Sequence, residues 1–271
     1  MKFATLIILA LVIALVMAPA ALVAQGRGGQ APAQLTTPQA AAPIDVTGYW
    51  VSQIVDEWRF RVTPQKGDVP YLPINADARR IANAWDPDKD IADGKQCRAY
   101  GAVGVMQRPG RLHITWENDR TLRIDSDAGT QTRLLHFGAT PAQKGERSWQ
   151  GYSAAQWNVA GRPLLDTGGT GFVPGLGARG PARGGTLIVK TDNMSSGYIR
   201  KNGVPYSDDA VLTEYFNVVT NTAAGAQNQL YLAVTAFVED PKFLNLPFIR
   251  TYDFKRQPDA AGWDPTPCLP K

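Results

Sequence analysis

Residues Arg111-Leu-His-Ile-Thr-Trp-Glu117 alternate between apolar and polar side chains without a break. The leucine, isoleucine and tryptophan fall on one face of an extended chain, and the histidine, threonine and glutamate fall on the other, which is the period of a half-buried strand. Residues 121–126 repeat this alternation, and the turn-forming residues Asn118-Asp119-Arg120 lie between the two runs. The pattern therefore predicts an antiparallel hairpin.

Similar runs follow the hairpin and occur along the rest of the chain. A third strand after the turn at 127–129 would make the hairpin a meander. The predicted strands outside the hairpin are 48–53, 57–63, 102–107, 130–137, 149–157, 185–192, 211–220, 229–239 and 248–255. Two stretches favour helix instead: 75–85, with Asn75 as its cap and Asp86-Pro87 at its end, and a single turn at 240–244.

Ten or eleven short strands with turn signals between them and little helix indicate an all-β barrel or sandwich. The sequence contains no linker that would divide the region 45–271, so a single domain is expected. Within it, residues 160–184 are dense in glycine and proline, which predicts a long loop between two strands.

The N-terminal 24 residues predict a secretory signal peptide, because Lys2 precedes an apolar run and small residues suit cleavage near Ala20 or Ala24. The alternative is a retained membrane anchor, since about 20 apolar residues can span a bilayer. Residues 25–44 are rich in Gln, Ala, Pro and Gly and predict a disordered tether. We therefore expect a secreted or periplasmic protein that has no membrane contact once the signal is removed.

Composition excludes several classes of protein. Of the 271 residues, 44% are hydrophobic, and 7 Trp, 9 Tyr and 9 Phe can fill a sizeable core, which excludes a disordered chain. The 28 Lys and Arg residues against 24 Asp and Glu give a net charge of +4 without a basic block, so nucleic acid is not an expected partner. The oligomeric state is left open.

The two cysteines, Cys97 and Cys268, are expected to form a disulfide, because an even pair in an exported chain most often joins. Neither a CxxC spacing nor a neighbouring histidine favours a redox or metal role for them. With His113 and His136 as the only histidines, a three-histidine metal centre is impossible, and no cofactor is expected.

The polar face of the meander is the first candidate site. Thr115 should face Arg123 and His113 should face Asp125 across the hairpin, and Glu117 lies on the same face. One interpretation is a solvated outer face with ion pairs of little energetic weight. The other is a barrel cavity in which these groups orient a ligand or transfer a proton. Because successive side chains point to opposite faces of a strand, an error of one residue in the register would exchange the inward and outward faces and so the two interpretations.

A succession of motifs supports a resemblance that covers nearly all of 46–271. In chain order these are Ala84-Trp85-Asp86-Pro87, Cys97, Ile114-Thr-Trp-Glu117, Leu122-Arg-Ile124 with Asp127, Gly151-Tyr-Ser153 with Trp157, Gly185-Thr-Leu-Ile-Val189, Pro205-Tyr-Ser207, Leu212-Thr-Glu214-Tyr-Phe216, Val238-Glu-Asp-Pro241, Pro247-Phe248 and Cys268. This order resembles that of a large group of secreted bacterial proteins without an assigned activity. The resemblance implies a lipocalin-like closed barrel and no reaction.

The chain departs from the group's pattern at three places. An insertion after Trp157 splits a strand that the group keeps continuous, Tyr215 stands where the group often has Arg, and Tyr206 stands where it often has His. The loss of a basic and an imidazole group argues against a shared catalytic scheme. In addition, Gly48-Tyr49-Trp50 resembles the Gly-x-Trp start of lipocalin-type chains, in which the Trp plugs the barrel floor.

We therefore expect an all-β, antiparallel, lipocalin-like barrel of about ten strands with one short helix, which binds a small apolar molecule in its cavity. The predicted ligand-binding residues are aromatic wall residues and polar groups that orient the ligand: Trp50, Trp116, Trp157 and Phe216 for the wall, and Glu117, Arg123 and Glu214 for orientation.

Two alternatives remain. A hydrolase or isomerase would use Glu117 or Asp125 as general base, with Arg123 or His113 as electrophile. An envelope interaction or carbohydrate-associated module would instead present exposed aromatic residues on one flat face. The candidates for such a face are Tyr49, Trp58, Tyr152 and Tyr198.

Overall fold

A computed structural model describes residues 36–55, 57–62, 64–138, 144–159, 184–223 and 228–270. Residues 37–271 form one compact unit. The predicted signal peptide, most of the predicted tether and nearly all of the 160–184 loop lie outside the described residues. Within those ranges, no helix has the length and apolar character needed to cross a membrane.

Nine of the eleven described strands close into a barrel, in the order β1-β11-β10-β9-β6-β5-β4-β3-β2 and back to β1. The remaining two, β7 and β8, form a separate hairpin that the sequence did not predict. The strands are β1 (Gly48–Gln53), β2 (Arg111–Asn118), β3 (Thr121–Ser126), β4 (Gln131–Phe137), β5 (Tyr152–Val159), β6 (Gly185–Asp192), β7 (Gly197–Arg200), β8 (Val204–Tyr206), β9 (Val211–Asn221), β10 (Gln229–Glu239) and β11 (Phe248–Gln257). The all-β barrel prediction is confirmed, with nine strands in the barrel.

The barrel is mixed, which corrects the prediction of a purely antiparallel sheet. Strands β4 and β5 run parallel, and only Leu135 to Phe137 pair with Ser153 to Ala155. The antiparallel prediction therefore fails at this pair of strands, because β5 begins near the end of the barrel at which β4 also begins. A parallel neighbour requires a crossover connection.

The β2–β3 hairpin has the predicted register. His113 lies opposite Asp125, and Thr115 lies opposite Arg123. Leu112, Ile114 and Leu122 face the interior and are fully buried. The period-two pattern therefore predicted the pairing of these strands, and the structure shows which of their two faces points inward.

The described residues contain four helices and a 3-10 turn where one short helix was predicted. They are α1 (Trp58–Val62), α2 (Ala76–Ala84), α3 (Pro87–Ala92), a 3-10 turn (Arg98–Tyr100) and α4 (Ala102–Val105). Helix α2 confirms the predicted one, and the Asn75 side chain caps it by accepting a hydrogen bond from the amide of Ala78 at 3.0 Å. Its predicted end at Asp86 is also the N-cap of α3, which the sequence did not reveal.

Two predicted strands, 57–63 and 102–107, are helices α1 and α4 instead. Every residue of α4 is buried, and periodicity cannot distinguish a helix from a strand when all faces are covered. In α1 the alternation Trp-Arg-Phe-Arg-Val imitates a strand, but the amides of Phe60 and Arg61 bond to the carbonyl of Glu57. Asp240 and Leu244 form the predicted single turn through one hydrogen bond of 3.0 Å.

The two ends of the barrel differ. At one end, the segment 54–110 between β1 and β2, which contains all four helices, lies against the barrel together with the β7–β8 hairpin; we call this the cap end. Arg61 of α1 shows the contact, since it donates to the carbonyl of Gln53 at the end of β1. At the other end, residues 37–46 pack on the barrel. We call this segment the strap, and we call this end of the barrel the strap end. The packed domain thus begins eight residues before the predicted boundary at residue 45.

The predicted disulfide between Cys97 and Cys268 is confirmed, and it joins residues 171 positions apart. It fixes the C-terminal tail to the cap end and to the turn after β3. There, the amide of Leu269 donates to the hydroxyl of Tyr100 at 3.1 Å, and Thr130 donates to the carbonyl of Thr266 at 3.0 Å.

Removal of this disulfide should destabilise the protein without changing the barrel. We expect the variant Cys97→Ser/Cys268→Ser to lose roughly 2–5 kcal/mol of unfolding free energy, because the unfolded chain regains the freedom of a long closed loop. Denaturant unfolding measures this loss, and limited proteolysis should cut the tail first. The reference is the wild type with its disulfide intact. If the variant unfolds at the same denaturant concentration as this reference, the disulfide has no structural role.

Candidate functional site

The interior of the described barrel is packed with side chains. Trp50 and Phe216, two predicted wall residues, are fully buried there together with Leu122 and Phe254. The indole of Trp50 donates to the carbonyl of Val46 at 2.9 Å and closes the interior at the strap end. A ligand in the middle of the barrel would have to displace this core, so the ends are the better candidates.

Gly48 makes this closure possible. Its φ is +106°, and a Cβ atom at this position would lie 2.9 Å from Nη2 of Arg256. The guanidinium of Arg256 lies over the Trp50 ring, 5.0 Å from its centroid. Glycine is favoured at the start of the Gly-Tyr-Trp motif because this φ is strained for any residue with a side chain, and a side chain here would also displace the end of Arg256.

One ion pair lies inside the barrel. Arg133 of β4 donates from Nη1 to Oε1 of Glu214 at 3.2 Å and from Nη2 to Oε2 at 2.7 Å. The same Nη2 lies 3.4 Å from the hydroxyl of Ser153 and 3.2 Å from that of Thr191. Both charged side chains are almost completely buried, at 2% and 1% exposure. Glu214, which was predicted to orient a ligand, is therefore held by a partner within the protein.

Sequence reasoning missed Arg133, although a signal was present. Arg133 shares its strand face with Leu135 and Phe137, and Glu214 shares its face with Leu212 and Phe216. A charged residue on the apolar face of a strand must be neutralised when that face is buried. Opposite charges on the apolar faces of two strands therefore indicate a buried ion pair.

An aromatic row lies at the strap end. The rings of Trp116 and Phe137 are 5.5 Å apart, and those of Phe137 and Trp157 are 5.3 Å apart. Both tryptophans are only partly buried and pack on the edge of the core. The structure thus brings two of the predicted wall residues together and supplies Phe137 as a third that the sequence analysis did not name.

The strap covers this row. The indole of Trp157 donates to the carbonyl of Pro38 at 2.8 Å, and the amide of Gln39 donates to the carbonyl of Asp119 at 3.1 Å. Gly185 allows the close approach of Pro43, since a Cβ on the glycine would lie 2.6 Å from the proline Cγ. Between the strap and the tryptophans remains a recess of about 270 Å³. Its lining residues are Gln39, Ala42, Pro43, Ile44, Asp45, Val46, Trp116 and Trp157.

Glu117 and Arg123, predicted to orient a ligand, lie on the outer face of the barrel and not in its interior. Arg123 pairs with Asp125 at 2.7 Å and with Glu117 at 3.4 Å. Burial alone would raise the pKa of Asp125, but hydrogen bonds from Arg123 and Thr132 outweigh it and lower the pKa below its usual value. A carboxylate with a lowered pKa is a weak general base, so this cluster gives no support to the enzymatic alternative.

The four aromatic residues predicted for a flat exposed face do not share one environment. Tyr198 is buried and its hydroxyl bonds to Asp90. Tyr49 stacks on His113 at 4.0 Å and Tyr152 stacks on His136 at 5.1 Å, while Trp58 is 65% exposed on α1. This arrangement does not favour a carbohydrate-associated surface.

Across the part of the chain that the structure describes, no group of three His, Cys, Asp or Glu residues is placed to hold a metal ion. Comparison with known proteins adds no assignment, because no family model, curated protein or solved structure matches the chain. The candidate site therefore depends on geometry alone.

The buried ion pair should be much more sensitive to substitution than the pair on the outer face. Glu214→Gln leaves Arg133 charged without a counterion, and we expect a loss of about 3–5 kcal/mol of unfolding free energy. Glu117→Gln, the matched exposed substitution, should cost at most about 1 kcal/mol. Denaturant unfolding of both variants gives the comparison, and equal losses would refute a special role for the interior pair.

Proposed function

We propose that this protein is an exported, lipocalin-like binding protein that takes up a small apolar molecule at the strap end of its barrel. The observation that carries the proposal is the recess of about 270 Å³ between the strap and the indoles of Trp116 and Trp157. Aromatic walls with a few polar groups are typical of small-molecule sites.

The chemistry of the recess favours an apolar or aromatic ligand. Trp116 and Trp157 line the recess with their indole rings, Phe137 packs between the two rings, and Ile44 of the strap packs against the core beside them. Gln39 and Asp45 supply polar groups from the strap. A ligand of fragment size fits this volume, and a larger one requires the strap to move aside.

The location of the recess also explains why binding can coexist with a packed barrel. Trp50 and Phe216 remain in the core beneath it, so a bound molecule would rest on the barrel's end without entering the centre. The disulfide supports the export part of the proposal, because such bonds persist in oxidising compartments.

A neutral fluorescent probe tests the site. We expect N-phenyl-1-naphthylamine to bind the purified protein with increased fluorescence, and Trp157→Ala to weaken the affinity about tenfold, because the substitution removes a large aromatic contact and the bond to Pro38. Fluorescence titration measures both dissociation constants.

Trp58→Ala is the matched control, since Trp58 is exposed on α1 at the cap end, the end of the barrel opposite the recess. It should leave the affinity unchanged. The proposal fails if the wild type does not bind the probe, or if the Trp157 and Trp58 variants bind it with the same affinity.

A further inference from the structure

A second cavity lies on the outer face of the barrel, where strands β3, β4 and β5 adjoin. Its volume is about 460 Å³, which is in the usual range for small-molecule sites. Its lining residues come from the β2–β3 turn and from these three strands: Asn118, Arg120, Thr121, His136, Phe137 and Tyr152. We call it the side cavity. It is distinct from the recess at the strap end, because the two share no described lining residue.

The alternation of side chains along the strands brings these residues together on the outer face. Thr121 and His136 lie opposite each other in the β3–β4 pair. The next residues inward, Leu122 and Leu135, are fully buried in the barrel. Because successive side chains point to opposite faces, Thr121 and His136 point outward. The residue after Tyr152 lies beside the interior ion pair, so Tyr152 points outward as well.

One wall of the side cavity is aromatic. The rings of His136 and Tyr152 stack with centroids 5.1 Å apart and planes 14° apart. Burial lowers the pKa of His136 below its usual value, so the imidazole is uncharged at pH 7. Phe137 supplies a third ring to the lining. Aromatic rings pack well against other rings in offset or edge-on arrangements, so this wall suits an aromatic group.

Arg120 is the charged residue in the described lining, and its backbone is held at both sides. Its amide donates to the Asn118 side chain at 2.9 Å, and its carbonyl accepts from the amide of Phe137 at 2.9 Å. The guanidinium lies beside the end of β4, since a Cβ on Gly138 would be 3.8 Å from Nη1 of Arg120. The turn thus places a positive charge next to the aromatic wall.

This charge has no counterion in the part of the chain that the structure describes. The neighbouring arginine of the outer face, Arg123, is by contrast already paired with Asp125 at 2.7 Å. Lys144 and Asp192 act on Tyr152, but they pair with each other at 2.5 Å. The guanidinium of Arg120 is therefore available to a ligand, and its planar fork matches a carboxylate with two parallel bonds.

We propose that the side cavity binds a small aromatic carboxylate. The carboxylate accepts two hydrogen bonds from the guanidinium of Arg120, and the aromatic ring of the ligand packs against His136, Tyr152 and Phe137. This site does not rest on the proposed function, because the recess at the strap end lies on other residues and takes an apolar molecule.

Proton–carbon NMR of the histidine rings tests the site, with benzoate as the probe and the purified protein as the sample. The chain has 2 histidines, so both rings can be followed. His113 is the internal control, since it stacks on Tyr49 and pairs with β3 four residues away from the partner of His136. We expect the signals of His136 to shift to saturation while those of His113 stay in place.

Two related compounds separate the contributions of the charge and the ring. Benzyl alcohol retains the ring without the carboxylate, and acetate retains the carboxylate without the ring. Each should bind at least about tenfold more weakly than benzoate, because each loses either the charge-assisted bonds or the aromatic contacts.

Arg120→Gln tests the residue that carries the charge. It should weaken benzoate binding at least about tenfold through the loss of the charge-assisted bonds. Arg120 is exposed in a turn, so the variant should keep the wild-type Tm. Arg123→Gln is the matched control on the same face of the barrel, and it should bind benzoate like the wild type.

Four outcomes would overturn the proposal: no saturable shift of His136, equal shifts of the two histidines, wild-type affinity in Arg120→Gln, or equal affinity for benzoate and either of the related compounds. The naphthylamine probe and Trp157→Ala report on the recess at the strap end. A failure of one site can therefore be distinguished from a failure of the other.

Discussion

The ion pair between Arg133 and Glu214 is the constraint on which the barrel depends. The two residues lie on β4 and β9, and the hydroxyls of Ser153 on β5 and Thr191 on β6 lie between them. The pair therefore spans four consecutive strands of the closed sheet, including the parallel neighbours β4 and β5. That seam has few backbone pairings, and a buried charge pair in the interior adds a contact that specifies how the sheet closes.

A packed and internally neutral barrel has consequences for function. The centre already contains large side chains such as Trp50 and Phe216, so the proposed ligand would have to lie at an end of the barrel. The strap end presents two tryptophans beneath a short polypeptide cover, which suits an apolar molecule.

Much of the barrel could be predicted from the sequence, because a period of two marks the position of a strand and sorts its side chains onto two faces, although it left open which face points inward. The β2–β3 hairpin, with His113 opposite Asp125, is the clearest case. Closure could not be predicted, since the parallel β4–β5 seam depends on the path of a connection that carries no periodic signal. Helices α1 and α4 were mistaken for strands, because a short alternating run and a fully buried run fit either structure.

The candidate site was predicted less well than the fold. Trp116 and Trp157 were both named as wall residues, and the structure brings them together through Phe137. Glu117 and Arg123 face outward, and Glu214 pairs with an arginine that the sequence analysis did not name. The available signal for Arg133 was its position on the apolar face of a strand, where a charged residue is unusual.

Proton–nitrogen NMR of the tryptophan indoles tests most directly whether apolar ligands bind at the end of a closed barrel and not in its centre. The chain has 7 tryptophans, so each indole signal can be assigned by substitution. On titration with N-phenyl-1-naphthylamine, the account predicts that the signals of Trp116 and Trp157 shift while that of Trp50 stays in place. A dominant shift at Trp50 would contradict it, because the probe would then occupy the interior that the structure shows as filled.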